Sequence, residues 1–253
     1  AFFELLKVIF CKIFDEKEVL EEKVEFYATS KEKLFADGCL TVQKRILKIF
    51  EQVKIKYPNL FKKSDTIELK PISLAYIVSE LQKYNLIDTV VDVKGKAYEE
   101  IVGSNLRGDR GEFFTPRNIT KMTIKMLDPK KGEKILDPAC GTGGFLVIAL
   151  NVIKDSLLKE YERVYKKAKS AWSVNENLRF IEKINEIAKS DLFGFDINPA
   201  LVKATKMNMV MNNDGSGNLF QTDSLKHPQL INAELKTQIC KVLGKPKDSI
   251  CKP

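Results

Sequence analysis

Residues 134–145 read Lys-Ile-Leu-Asp-Pro-Ala-Cys-Gly-Thr-Gly-Gly-Phe. A short apolar run stops at Asp137, bends through small residues and enters an apolar stretch that predicts a helix. Such a strand–turn–helix makes a particular kind of site. The helix start offers unbonded backbone N–H groups and a partial positive charge to an anionic group. Gly141, Gly143 and Gly144 let the backbone approach a ligand and take φ values that a Cβ forbids. Asp137 can accept from a cationic or hydroxylated part of the same molecule, and Ala139 borders it in the bend. A ligand carrying both signs of charge close together fits, and S-adenosylmethionine does so with its amino-acid end. Glycine bends are common, so the rest of the chain must decide.

Two further apolar segments repeat the pattern. Leu192 to Ile197 predicts a strand ending at Asp196, and Leu219 to Thr222 a strand ending at Asp223. Helices are expected from Phe145 towards Lys169, from Glu176 to about Lys189, and from Ala200 to Met211, the last with Leu201, Val202, Met207 and Val210 inward. Strands alternating with helices predict a parallel α/β sheet. Ligands of such sheets lie outside the carboxyl ends of the strands, where Asp137, Asp196 and Asp223 converge. Asp196 would accept both ribose hydroxyls of a nucleoside. Asp223 would accept from the exocyclic amine of adenine, with Ile197 on the ring face, and Asp137 would face the positive end of the methionine part. Taken singly, each aspartate also suits a helix cap or a turn. Three at successive strand ends favour a nucleoside site.

A nicotinamide site is disfavoured, because its ribose carboxylate follows the glycines by roughly 20 residues, whereas Asp196 comes two helices later. No Gly-x-Gly-x-x-Gly is present, and no Gly-Lys-Ser/Thr follows the turn. The single histidine, His227, excludes a histidine metal centre and a Ser-His-Asp triad. Five scattered cysteines without a Cys-x-x-Cys pair point to a reducing, cytoplasmic setting and away from zinc. No apolar run approaches the roughly 20 residues of a membrane span. The net charge of +8 leans towards a polyanionic partner, although acidic residues are interspersed throughout.

The front of the chain has a different texture. Phe2 to Phe14 is apolar on most faces, Leu40 to Tyr57 carries a helical stripe ended by Pro58, and Pro71 opens a helix through Leu81. The acidic stretch Asp15 to Glu25 is expected to be exposed, and a shorter helix is expected over Tyr98 to Val102. Residues 1–95 thus read as an all-helical domain ahead of an α/β domain over 96–253. Between them lies Gly103 to Arg117, a charged, glycine-rich loop ending in Gly-Glu-Phe-Phe-Thr-Pro-Arg. Thr115 is expected as an N-cap with Pro116 at the first helical position, in a helix running to Leu127. Phe113 and Phe114 either anchor the loop to the core or put one ring over the ligand.

Gly-Glu-Phe-Phe-Thr-Pro-Arg (111–117), Leu-Asp-Pro-Ala-Cys-Gly-Thr-Gly-Gly-Phe-Leu (136–146) and Gly-Phe-Asp-Ile-Asn-Pro (194–199) occur in that order. Together they closely resemble the modification subunit of type I restriction–modification systems, an adenine-N6 DNA methyltransferase. The resemblance covers residues 1 to about 225. It implies a Rossmann-like S-adenosylmethionine-dependent domain behind a helical N-terminal one. It also implies a cofactor site from Glu112, Phe113, Phe114, Thr115, Pro116 and Arg117, with Thr142, Gly143, Gly144 and Asp196, and Asp223 near the adenine. Its implied partners are DNA, a specificity subunit and a restriction subunit.

One departure stands out. The family carries Asn/Asp-Pro-Pro-Phe/Tyr after the third strand, and this chain has none. An extruded adenine needs an aromatic face to stack on and acceptors for its amine. The catalytic residues therefore stay unassigned, no metal is expected, and the domain reads as incomplete at its C-terminus. A chain of this kind is expected to hold cofactor without completing transfer. The alternative is a non-catalytic cofactor-binding or assembly module. The lysines from Lys154 to Lys169 read chiefly as a charged outer helix face, as does the lysine-rich tail from Lys236 to Lys252.

Overall fold

The computed structural model describes residues 2–18, 24–58, 60–86, 115–213, 218–227 and 230–243. The chain divides into two units, Ala1–Glu112 and Phe113–Pro253. The first is helical among its described residues: α1 (Phe2–Glu18), α2 (Ser30–Leu34), α3 (Ala36–Lys56) and α4 (Pro71–Leu81). The α3 stripe buries Val42, Ile46, Ile49, Phe50 and Val53, as its spacing requires. Phe10, Phe50 and Phe61 meet edge to face, with Phe10–Phe61 and Phe50–Phe61 centroids 5.4 and 5.2 Å apart.

The charges that interrupt α1 are structural ties. Lys7 donates to the Thr66 carbonyl at 2.6 Å, and Lys12 pairs with Glu16, whose carboxylate accepts the Leu86 N–H at 2.9 Å. Asp15 overturns the expected exposure of the acidic stretch. The helix continues to Glu18, and the buried Asp15 carboxylate accepts the backbone N–H groups of Glu25 and Phe26. Burying it is tolerated because both donors satisfy it. Residues 19–23, and the helix expected over Tyr98 to Val102, lie outside the described residues. Before α3, Thr29 and Glu32 form a capping box, and Arg45 pairs with Glu32 while stacking on the Tyr27 ring at 3.7 Å.

The second unit runs α5 (Arg117–Leu127), β1 (Ile135–Asp137), α6 (Gly144–Tyr165), α7 (Val174–Asp191), β2 (Leu192–Asp196), α8 (Pro199–Asn213), β3 (Asn218–Gln221) and α9 (Ala233–Leu243). The three strands are parallel in the order β1-β2-β3, as the alternating pattern predicts. Ser173 and Glu176 form a second capping box that starts α7. Leu146, Leu150, Ile153, Phe180, Ile184, Leu192 and Leu219 form the core against the sheet. Asp191 at the α7–β2 junction is buried, yet it accepts from Gly132 N–H and pairs with Lys134 at 2.8 Å, which fixes the entry to β1. Helix α9 falls in the lysine-rich segment read as an outer charged tail; residues 244–253 lie outside the described ones. No helix among the described residues is long and apolar enough to cross a membrane.

Candidate functional site

The β1–β2 register pairs Asp137 with Gly194, and the β2–β3 register pairs Asp196 with Gln221. All three strands therefore end on one edge of the sheet, with the glycine turn leading from β1 into α6. Backbone bonds stitch the turn to β2: the Cys140 N–H donates to the Phe195 carbonyl at 2.8 Å, and the Gly141 N–H donates to Asp196 Oδ2 at 3.0 Å. Asp196 Oδ1 accepts the Asn198 N–H at 2.8 Å. Each carboxylate oxygen retains capacity for a further donor such as a hydroxyl.

Asp137 lies beside this pair. Its Oδ1 accepts the Ala139 N–H at 3.1 Å. Burial lifts its carboxyl above the usual aspartate range, the Ala139 N–H opposes the rise, and the nearby Asp196 charge adds to it. The turn is thus a place where negative charge is held at a cost, and a cationic ligand group would relieve it. Cys140, buried beneath the turn, has its thiol pushed up to about 12, chiefly by burial. It is a packing residue here rather than a nucleophile.

The glycines divide into two kinds. Gly141 and Gly143 have φ of 54° and 83°, the left-handed region that the bend needs. A Cβ on Gly143 would lie 2.6 Å from Thr205 Cγ2, so this glycine also admits helix α8. Gly144 has no such backbone need, contrary to the expectation. It is the first residue of α6, and a Cβ there would meet only open space. The first intrahelical bond runs from Val147 N–H to the Gly143 carbonyl, so the N–H groups of Gly144, Phe145 and Leu146 have no carbonyl within the helix.

The loop after β3 meets the loop after β1 where the Ser224 hydroxyl donates to the Pro138 carbonyl. Asp223 Oδ1 accepts the Leu225 N–H at 3.0 Å, a local turn bond. Asp223 and the exposed Ile197 line a cavity of about 510 Å³ shared with Gln221, Lys226, Leu235 and Lys206. Burial pulls the Lys206 ammonium below its ordinary range. The glycine turn and Asp137 are not in the walls of this cavity. Asp137 and Asp196 thus share the turn, while Asp223 and Ile197 share the neighbouring cavity.

Of the pre-turn loop, Glu112, Phe113 and Phe114 lie outside the described residues. Thr115 does not cap the helix: α5 starts at Arg117, with Pro116 in the N-cap position and no side-chain cap bond. The Pro116 carbonyl instead accepts the N–H groups of Ile119 and Thr120. Arg117 is half-buried, and Thr115 and Pro116 are exposed. Helix α5 packs along α6, bringing Ile124 against Ile148 and Ala149.

Three site residues escape a reading confined to apolar periodicity. Thr205, Asn208 and Asn212 are polar, buried and on one face of α8. Their spacing of three and four, which puts them on one helix face between buried apolar residues, is the signal that marks them.

The family model described as N-6 DNA Methylase matches residues 89–243. The methylase subunit of the type I restriction enzyme EcoEI from Escherichia coli is 48% identical over 69 residues, which are 27% of this chain and 14% of that protein. The MjaIX methylase subunit of Methanocaldococcus jannaschii is 34% identical over 125 residues, 48% of this chain and 17% of its relative. The crystal structure of a type I modification subunit from Vibrio vulnificus YJ016 superposes with a TM-score of 0.50 at 17% identity, covering 91% of this chain and 52% of that one. The chain therefore spans about half of that solved structure and a smaller part of the curated relatives.

Proposed function

The chain belongs to the N-6 DNA methylase family, and we propose that it is the adenine-N6 DNA methyltransferase subunit of a type I restriction–modification system. Its α/β unit is a Rossmann-like domain that binds S-adenosylmethionine. The observation that carries this reading is the 3.0 Å bond from Gly141 N–H to Asp196, which joins the glycine turn to the second strand end. Asp137, lifted by burial and by the Asp196 charge, favours the ammonium of the methionine part. The amide groups at the start of α6 favour its carboxylate. Asp196 takes the ribose hydroxyls, and Ile197 and Asp223 hold the adenine in the neighbouring cavity. Thr142, Gly143, Gly144 and Ala139 shape the turn, and the family resemblance adds Glu112, Phe113, Phe114, Thr115, Pro116 and Arg117 to the cofactor-binding residues.

Bound there, the cofactor supplies an electrophilic methyl group on a sulfonium for displacement by the adenine amine. The sequence carries no Asn-Pro-Pro-Phe to stack on and orient that adenine. We infer that this polypeptide alone holds cofactor without transferring the methyl, and that transfer requires the longer subunit with its specificity partner on DNA. That missing loop is also what favours the second reading, a non-catalytic assembly module.

Calorimetry with S-adenosylmethionine, followed by tritiated methyl transfer to duplex DNA by the full-length subunit reconstituted with its specificity subunit, tests the proposal. Cofactor binding and labelled DNA are expected. Partner binding without any cofactor heat would support the assembly module instead.

A further inference from the structure

Helix α8 holds the glycine turn from behind. The Thr205 hydroxyl donates to the Gly141 carbonyl at 2.6 Å, and the Asn208 amide donates to the Thr142 carbonyl at 2.8 Å. The Asn212 amide in turn donates to the Asn208 side-chain oxygen at 2.8 Å and to its backbone carbonyl at 2.9 Å. The Thr142 carbonyl can only accept, so Asn208 presents its NH₂ to the turn and its oxygen to Asn212. All three residues are buried, Thr205 completely. Polar groups set among the buried apolar residues of α8 carry a desolvation cost that a simple packing role would avoid by using Val or Leu.

We propose that Thr205 and Asn208 are positioning residues that set the direction of the peptide groups in the glycine turn, and that Asn212 locks Asn208 in the donating orientation. The inference rests on the reading of that turn as the cofactor site. A trans peptide places its N–H opposite its C=O. Holding the Gly141 carbonyl towards α8 therefore points the Thr142 N–H away from α8. The Gly143 N–H is occupied by the Cys140 carbonyl at 2.7 Å, so Thr142 is the turn position whose donor direction Thr205 controls. The threonine methyl occupies the space that the missing Cβ of Gly143 leaves, Cγ2 being 2.6 Å from where that Cβ would stand. Hydroxyl and methyl of one side chain thus fix the turn in direction and in depth.

Thr205→Val keeps the shape and loses the hydroxyl, whereas Thr205→Ser keeps the hydroxyl. Binding of S-adenosylmethionine is measured by calorimetry for the wild type, both variants and Asn208→Ala, with thermal unfolding alongside. In the same ligand-free proteins, amide signals of Gly141 to Gly144 are followed by nitrogen-15 NMR. The expected result is a roughly tenfold loss of affinity in Thr205→Val and Asn208→Ala, the size of one misdirected hydrogen bond. Thr205→Ser should stay within about twofold. The turn amides should move in Thr205→Val and stay near wild type in Thr205→Ser. Equal affinities in wild type and Thr205→Val, or a loss in Thr205→Ser as large as in Thr205→Val, would overturn the proposal. A wild type that binds no cofactor but whose turn amides still move selectively in Thr205→Val would instead reject the cofactor reading and leave the positioning role standing.

Discussion

Asp196 Oδ2 and the Gly141 N–H lie 3.0 Å apart, so the carboxylate at the end of β2 organises the turn at the end of β1. One side chain thereby serves both halves of the proposed site. Asp196→Asn leaves one acceptor and puts an NH₂ group where an acceptor is needed, facing either Gly141 or a ribose hydroxyl. Cofactor affinity is expected to fall by roughly 10- to 100-fold, corresponding to the loss of one or two charge-assisted bonds. Calorimetry on a variant that keeps its helical circular dichroism checks this.

Asp137 predicts a trade of stability against binding. Its folded carboxyl sits above the ordinary value because burial disfavours the charge. A raised acid of this kind stabilises the fold fully below the unfolded pKa, and that contribution is lost as pH rises through the folded value. At neutral pH the ionised Asp137 therefore costs stability in the ligand-free protein. Asp137→Asn should raise the melting temperature by about 1–4 °C while weakening S-adenosylmethionine binding. Wild-type affinity should fall as pH drops through the raised pKa, and Asp137→Asn should remove that part of the fall. Thermal melts and titrations across acid pH measure both.

Gly144 and Gly194 separate ligand space from packing space. A Cβ on Gly194 would meet Leu219 Cδ2 at 2.6 Å, Leu146 Cδ1 at 2.8 Å and Cys140 Sγ at 3.1 Å, all buried. Gly194→Ala is expected to destabilise by about 1–3 kcal/mol through overpacking. Gly144→Ala places its methyl in open space, so stability should stay close to wild type while cofactor binding weakens. Chemical denaturation and calorimetry on the pair distinguish the two kinds of glycine.

Glu32 carries an acid-sensitive tie in the helical unit. The Arg45 guanidinium, with help from Thr29, holds its carboxyl down to about 2. A depressed acid contributes stability above its unfolded pKa, near 4.3, and loses it as pH falls towards the folded value. Glu32→Gln should cost about 1–2 kcal/mol at pH 7. The gap between variant and wild type should narrow between about pH 4.5 and pH 2. Urea unfolding followed at several pH values reads this directly.

The parallel sheet, its strand ends and the glycine turn were legible because apolar runs stopping at Asp137, Asp196 and Asp223 carry their own punctuation. Pro71 announced α4 equally well, since its ring suits a first helical turn. Four things were not legible. Asp15 looked like surface charge because its donors, the Glu25 and Phe26 N–H groups, belong to a later segment. Thr115 had the right chemistry for a cap, but the helix starts at Arg117 and leaves Pro116 in the cap position. Thr205 and Asn208 face backbone carbonyls more than 60 residues away in sequence, so their helical spacing marks a shared polar face without showing what that face meets. The division between the turn and the cavity beside Asp223 is likewise set by tertiary packing of α8 and α9 around β3.

The most direct measurement is a crystal structure of the protein with S-adenosylmethionine. The account predicts the amino-acid end of the cofactor on the glycine turn beside Asp137, its ribose hydroxyls on Asp196, and its adenine against Ile197 and Asp223. A cofactor bound elsewhere on the molecule, with the turn and Asp196 untouched, would contradict it.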